Sequence, residues 1–251
     1  MTKLFISDLH LSPSNPTLTQ LACDLLDAKK NQVDEIYILG DIFNTWLGDD
    51  LVPDEFASFV ATLQALSAQG IKLHLMVGNR DFMLGHAFAK TVGARLLDDG
   101  YLLDIAGHKT LLLHGDSLCI DDVSYQRYRR VVRNPILQCL FLALPARFRQ
   151  YISDKIKQKS QQKKQMKTAM IMDVNQAEVV RVMRERQIDL LIHGHTHRPA
   201  IHSLETQAGN KVHRVVLGDW QDKVSYLLID DRQLRLHDHR VAGEESQLRL
   251  T

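Results

Sequence analysis

The chain is expected to fold as an α/β protein, with two packed mixed β-sheets flanked by helices and a helical insertion acting as a lid. Three observations predict this. Short apolar runs alternate with amphipathic segments through the first half, as in a parallel sheet with covering helices. The second half carries closely spaced apolar runs joined by tight turns, the pattern of antiparallel pairing. Between the halves lies a long glycine-free stretch that is basic and helical in character. With 251 residues, 45% hydrophobic and 24% charged, the chain can bury a substantial core.

Taken in order, Lys3–Ser7 reads as a buried strand, and Leu18, Leu21, Ala22, Leu25 and Leu26 recur at helical spacing. Glu35–Leu39 is a second strand. Asp54–Ser67 is a helix with Phe56, Phe59, Val60, Leu63 and Leu66 on one face, stopped by Gly70, and Ile71–Val77 is a third strand. Tyr101–Ile105 and Lys109–Leu113 flank Gly107-His108 as a hairpin. A helix near Val174–Arg186 precedes a strand at Asp189–Ile192, and Val212–Leu217, Val224–Ile229 and Leu234–His239 follow as strands. Residues 1–120 and 169–240 are thus expected to form one interrupted core, 121–168 the insertion, and 241–251 a flexible polar tail.

Composition excludes several classes of protein. Lys plus Arg is 31 and Asp plus Glu is 30, so the net charge of +1 argues against bulk nucleic-acid binding. No run of about 18 apolar residues is present to span a membrane, and the N-terminus reads directly into a strand rather than a signal peptide. Three widely spaced cysteines (Cys23, Cys119 and Cys139) do not make a disulfide framework, and a cytoplasmic location is expected. The near-neutral total hides an asymmetry: from Asp121 to Lys167 there are 12 basic and 3 acidic residues, leaving 19 basic and 27 acidic elsewhere.

The chemistry gathers at strand ends. Asp8-Leu9-His10 follows the first strand, Gly40-Asp41 the second and Gly78-Asn79-Arg80-Asp81 the third. His114-Gly115-Asp116 and His193-Gly194-His195-Thr196-His197 end two later strands. Residues two apart on extended backbone face one side, so Asp8 and His10 can converge on one ion, and strand ends of α/β sheets form the usual ligand crevice. The donors are nitrogen and oxygen only, which favours Mn²⁺, Fe²⁺ or Zn²⁺ over a thiolate site. Seven candidate ligands suit two ions that share a carboxylate.

This ordered set resembles the calcineurin-like metallophosphoesterase superfamily. Ile38–Phe43, Trp46–Asp50, His114–Cys119, Met170–Gln176 and His193–Pro199 are similar, more narrowly, to the UDP-2,3-diacylglucosamine diphosphatases of lipid A biosynthesis, and the similarity runs to about Arg240. The resemblance implies two divalent ions, Mn²⁺ in kind. Asp8, His10, Asp41 and His197 would surround one, and Asp41, Asn79, His114 and His195 the other, with Asp41 bridging. It implies hydrolysis of UDP-2,3-diacylglucosamine to 2,3-diacylglucosamine 1-phosphate and UMP by attack of metal-activated water on the α-phosphorus. By the same resemblance Asp41, Asn79, Arg80 and His114 would be the catalytic set, and Asn79, Arg80, Asp122, Ser160, Lys164, Lys167 and His195 would touch substrate. A dinuclear phosphodiesterase or nucleotide pyrophosphatase with a small soluble substrate is the alternative. Asp81 and Asp116 are expected to orient ligands, and His193 to be structural.

The insertion would serve as a lid for an acylated UDP-glucosamine. Ser160, Lys164 and Lys167 share one helix face, while Asp122 could instead cap the helix that follows it. The apolar run Ile136–Leu144, around Phe141, reads either as the lid's own core or as a membrane-interface face. Arg129, Arg130, Arg133, Arg147 and Arg149 form basic borders suited to anionic headgroups. The membrane reading places the protein peripherally on the cytoplasmic face of the inner membrane. Nothing in the sequence points to an obligate protein partner.

Overall fold

The computed structural model describes residues 1–164, 173–205 and 211–250, with residues 159–164 described as backbone only. A seven-stranded sheet has the order β12-β11-β10-β1-β2-β3-β4, and a five-stranded sheet has the order β5-β6-β7-β9-β8. In the first, β1 (Lys3–Ile6), β2 (Glu35–Leu39), β3 (Lys72–Met76) and β4 (Ala94–Leu97) run parallel. Helices α1 (Pro16–Lys29), α2 (Ala57–Ala68) and α3 (His86–Thr91) make or flank the crossovers. β10 (Tyr226–Ile229), β11 (Gln233–His237) and β12 (Glu245–Arg249) complete that sheet by antiparallel pairing. β5 (Tyr101–Ile105), β6 (His108–Leu113), β7 (Leu190–His193), β8 (Ala200–Glu205) and β9 (Lys211–Val216) form the second sheet, with β6, β7 and β9 parallel.

Alternation along the strands builds the layers. Leu4, Ile6, Ile36, Ile38, Leu73 and Leu75 face α1 and α2, whereas Phe5, Tyr37, Leu39 and Met76 meet Leu112, Ile192 and Val215 of the other sheet. Leu111, Leu113 and Leu191 turn outward beneath α7 (Gln176–Arg186), against Val179 and Met183. Helices and sheets thus stack as α/β/β/α, and the parallel strands of both sheets point their C-terminal ends at one rim.

Four elements escape the sequence reading: α3, β4, β8 and β12. The segment expected to be a flexible tail is instead strand β12, paired with β11 from Gln233↔Arg249 to His237↔Glu245. Leu248 and Leu250 pack against the inter-sheet core, so two apolar side chains in a polar stretch hold the edge strand. Between β6 and α7 the chain forms α4 (Val123–Val132), α5 (Pro135–Leu142) and α6 (Ala146–Lys164). No residue of α4 or α5 is fully buried: Ile136 is 69% and Leu140 61% exposed, while Phe141 is half-buried.

The expected basic borders are largely spent on holding these helices to the core. Arg129 donates to Asp116 and Asp99 at 2.9 and 2.6 Å, and Arg133 to the Gly78 carbonyl at 3.2 Å. Arg149 donates to the Leu47 carbonyl at 2.7 Å and to both oxygens of Asp50. Only Arg130 and Arg147 of that set remain exposed. No helix among the described residues is long and apolar enough to cross a membrane.

Candidate metal centre

The strand ends converge as the sequence predicts, and the backbone there is unusual. Asp8, His10, Asp41, His195 and His197 all have positive φ, between 50° and 69°. Asp and His tolerate this left-handed region better than most residues, and such strain collects at functional sites. The turns interlock: the Asp8 amide donates to the Gly40 carbonyl and the His10 amide to the Asp41 carbonyl, each at 3.0 Å. Two glycines make room. A Cβ at Gly78 would lie 2.2 Å from Asp41 Oδ1, and one at Gly194 would lie 2.2 Å from Asp8 Oδ2.

Among the described residues two groups of side chains could hold metal, Asp8 with His10 and His197, and Asp8 with Asp41 and His114. Asp41 reaches both sides, its Oδ2 lying 3.8 Å from His10 Nδ1 and its Oδ1 3.7 Å from His114 Nε2. Asn79 Oδ1 sits 2.9 Å from His114 Nε2, and the other ring nitrogen of His114 lies 2.9 Å from the Leu39 carbonyl. The His195 amide donates to Asp8 Oδ2 at 2.9 Å and its ring packs edge-on against His114. Among the described residues His10 Nδ1 is buried without a hydrogen-bond partner, and Asp8 Oδ1 has only His197 Nε2 nearby, at 3.3 Å. Such atoms are costly unless something else binds them, so the donor set fits a divalent cation.

Charge in the cluster is finely divided. Burial pushes His10 and His195 down to about 3, which leaves both neutral with a lone pair to offer. Burial also opposes charge on His114 and His197, but Asp41, Asp8 and Asp116 around the first, and Asp219 and Asp8 around the second, lift both to about 9. Burial raises Asp41 to about 7. Asp8 is held below the usual carboxylate range: burial works against its charge, but His197, His114 and His10 outweigh it. A cation would replace the protons that these histidines and Asp41 now share.

Around this cluster Asp81, fully buried, accepts from the amides of Gly78, Ile42 and Phe43 at 2.7, 2.7 and 3.2 Å, which locks two strand-end loops together. Asp116 orients α4 through Tyr125 and Arg129, and Tyr125 stacks on His195 at 6.2 Å between centroids. Arg80 lies with Nε 3.5 Å from Asp41 Oδ2, Nη1 bonded to Asn44 and 37% of its side chain exposed. Asp122 caps α4, accepting from the Tyr125 amide at 3.0 Å. Ser160 and Lys164 fall on the last turns of α6, where side chains are outside the description, and Lys167 lies outside the described residues. Sequence reading missed Asp99, which accepts from the His114 amide at 3.0 Å, and Asp219, 3.3 Å from His197 Nδ1.

The model of the calcineurin-like phosphoesterase family matches residues 1–199. The UDP-2,3-diacylglucosamine hydrolase of Tolumonas auensis is 45% identical over 236 residues, covering 94% of this chain and 96% of its own. That of Aliivibrio fischeri is 44% identical over 244 residues, 94% of this chain and 98% of its own. Among solved structures, a predicted phosphoesterase from Streptococcus pneumoniae TIGR4 aligns with a TM-score of 0.47 and 14% identity over 99% of this chain and 97% of its own.

Proposed function

Because the chain belongs to the calcineurin-like phosphoesterase family, and within it to the UDP-2,3-diacylglucosamine hydrolases, we propose that it cleaves the pyrophosphate bond of UDP-2,3-diacylglucosamine. The products are 2,3-diacylglucosamine 1-phosphate and UMP, a step of lipid A biosynthesis. The observation that carries the reading is the convergence of seven nitrogen- and oxygen-bearing side chains from five strand ends on one cluster, with Asp8, Asp41 and His114 buried at its floor. Asp8, His10, Asp41 and His197 would hold one divalent ion and Asp41, Asn79, His114 and His195 a second, both Mn²⁺ in this reading. When bound, the ions would polarise the phosphoryl oxygens and lower the pKa of water beside the α-phosphorus.

The chain's own residues supply the rest. Asp41 divides its oxygens between the His10 and His114 sides, which suits a shared carboxylate. Arg80, anchored by Asn44 and Asp41, presents a planar cation at the mouth of the cluster, where charge builds on the phosphoryl oxygens. His114 keeps its Nδ1–H on the Leu39 carbonyl, so its Nε2 faces Asn79 and the centre. The helices α4 to α6 cover the acylated sugar, with Asp122, Ser160, Lys164 and Lys167 as head-group contacts.

The exposed apolar side chains Val131, Ile136, Leu137, Leu140 and Phe148 support contact with acyl chains or a bilayer surface. In this reading the protein sits peripherally on the cytoplasmic face of the inner membrane. The test is product analysis with UDP-2,3-diacylglucosamine and Mn²⁺ in heavy-oxygen water, with UDP-glucose and a bis-aryl phosphodiester as comparisons. Label in UMP is expected. Label confined to the lipid phosphate would overturn the regiochemistry. Faster turnover of UDP-glucose would favour the small-substrate phosphodiesterase.

A further inference from the structure

Beyond the seven candidate ligands, a second layer of charge reaches the centre from the C-terminal strands, outside the span matched by the family model. His197 turns Nε2 inward, 3.3 Å from Asp8 Oδ1, and Nδ1 outward, 3.3 Å from Asp219 Oδ2. Asp219 follows β9 and is itself held from behind. Arg240 Nη1 donates to Asp219 Oδ1 at 2.5 Å and Nη2 to the Asp219 carbonyl at 3.1 Å. The same guanidinium is fixed by Asp238, through Nε at 2.8 Å and Nη2 at 2.7 Å.

The backbone is built around this relay. Trp220 donates its amide to the Asp8 carbonyl at 3.1 Å, tying the Asp219 loop to the first ligand turn. A Cβ at Gly218 would lie 2.1 Å from Arg240 Nη2 and 2.3 Å from Asp238 Oδ2, so only glycine fits between Asp219 and its support. Gly218-Asp219 after β9 repeats the pattern of Gly40-Asp41 after β2, but here the carboxylate stands one residue behind the ligands.

We propose that Asp219, clamped by Arg240 and Asp238, is a positioning residue of the metal centre. It accepts the Nδ1 proton of His197, fixes the ring's rotation and leaves the Nε2 lone pair for the cation. A carboxylate behind a ligating imidazole raises the basicity of the ring and sets its tautomer. An ordinary surface carboxylate would do neither, because its ring partner would be free to turn.

The experiment measures Mn²⁺ affinity of the metal-stripped full chain by competition with a chromophoric chelator, for wild type, Asp219→Asn, Asp219→Glu and Arg240→Met. Asp219→Asn is expected to weaken binding about 10–100-fold, Arg240→Met to weaken it by less, and Asp219→Glu to recover part of the loss. With diamagnetic Zn²⁺ bound, the ¹⁵N shifts of His197 should report metal at Nε2 and a proton held on Nδ1 in wild type, with that Nδ1 proton in fast exchange in Asp219→Asn. A purely structural role predicts a lower melting temperature in Asp219→Asn and Arg240→Met with Mn²⁺ affinity and His197 shifts unchanged, and that result overturns the proposal. Should Asp219→Asn fail to fold, Arg240→Met and Asp219→Glu carry the same comparison. The inference rests on the metal centre and not on the substrate, so it survives even if product analysis rejects UDP-2,3-diacylglucosamine.

Discussion

Removing Arg149 should loosen the packing of α6 against the Trp46–Asp50 loop without touching the candidate metal centre. This side chain is only 4% exposed and joins the first turn of α6 to the Trp46–Asp50 loop. Its Nε donates to the Leu144 carbonyl at 2.9 Å and its Nη1 to the Leu47 carbonyl at 2.7 Å, while both terminal nitrogens reach Asp50. Asp50 is 60% exposed, so its carboxylate regains water when the arginine goes, and the ion pair contributes at most about 1 kcal/mol. The carbonyl contacts of a charged donor add more, and Arg149→Met, which keeps an apolar stem, should cost about 2 kcal/mol of docking. That corresponds to roughly a 30-fold rise in local opening. Hydrogen exchange followed by mass spectrometry should show this loss of protection in residues 146–158, with α1 unchanged. Turnover of the acylated nucleotide sugar should fall while slow hydrolysis of a bis-aryl phosphodiester persists. Arg147→Met is the control, because Arg147 is exposed and lies over the Phe148 ring at 5.1 Å. Unchanged protection in α6 would refute the reasoning.

Three further outcomes are expected. Asp41→Ala should lower metal content, measured by mass spectrometry of the metals, more than His10→Ala, because Asp41 faces both histidine sides; two ions per chain in Asp41→Ala would rule out a bridge. Ile136→Ser with Leu140→Ser should weaken binding to anionic vesicles roughly 10-fold or more, given about 1–2 kcal/mol per lost apolar side chain. The melting temperature should hold, since both side chains are exposed, and a large drop would mark them as packed. His74 is stacked on Tyr37 with a pKa that burial lowers below 6.5, so stability should fall as pH drops below that unfolded value and protonation favours the unfolded chain. His74→Leu should flatten the melting temperature between pH 7 and 5, and an unaltered slope would discount this residue.

The candidate centre was legible because each candidate ligand sits where periodicity stops. An apolar run ends, a glycine or an Asp-His pair follows, and the polar residue has no strand left in which to hide. The same rule applied to Val212–Leu217 flags Gly218-Asp219 as it flags Gly40-Asp41, but the pair alone does not say whether its carboxylate faces an ion or the back of a neighbouring histidine. Its role shows only when β9 lies parallel beside β7, register His193↔Val216, which brings Asp219 behind His197. β8 and β12 were invisible for a related reason. Ala200–Glu205 and Glu245–Arg249 are edge strands with no fully buried residue, and each takes its order from pairing with one neighbour in sequence, β9 or β11.

The insertion teaches the opposite lesson about charge. Its basic excess invited a reading in terms of external anions, but Arg129, Arg133 and Arg149 answer to Asp116, Asp99, Gly78, Asp50 and Leu47 within the chain. Sequence counts cannot separate a cation that docks a helix from one that awaits a ligand, because the pairing acid lies elsewhere in the chain. Asp116 makes the point most sharply. Burial opposes its charge, yet His114, Arg133 and Arg129 hold it below the ordinary carboxylate range, so one carboxylate answers to both the candidate metal cluster and helix α4. Breaking its arginines therefore leaves a buried charge beside His114, whereas breaking Arg149 does not. That difference is why the docking of α4 to α6 can be tested from its Asp50 side and not from its Asp116 side.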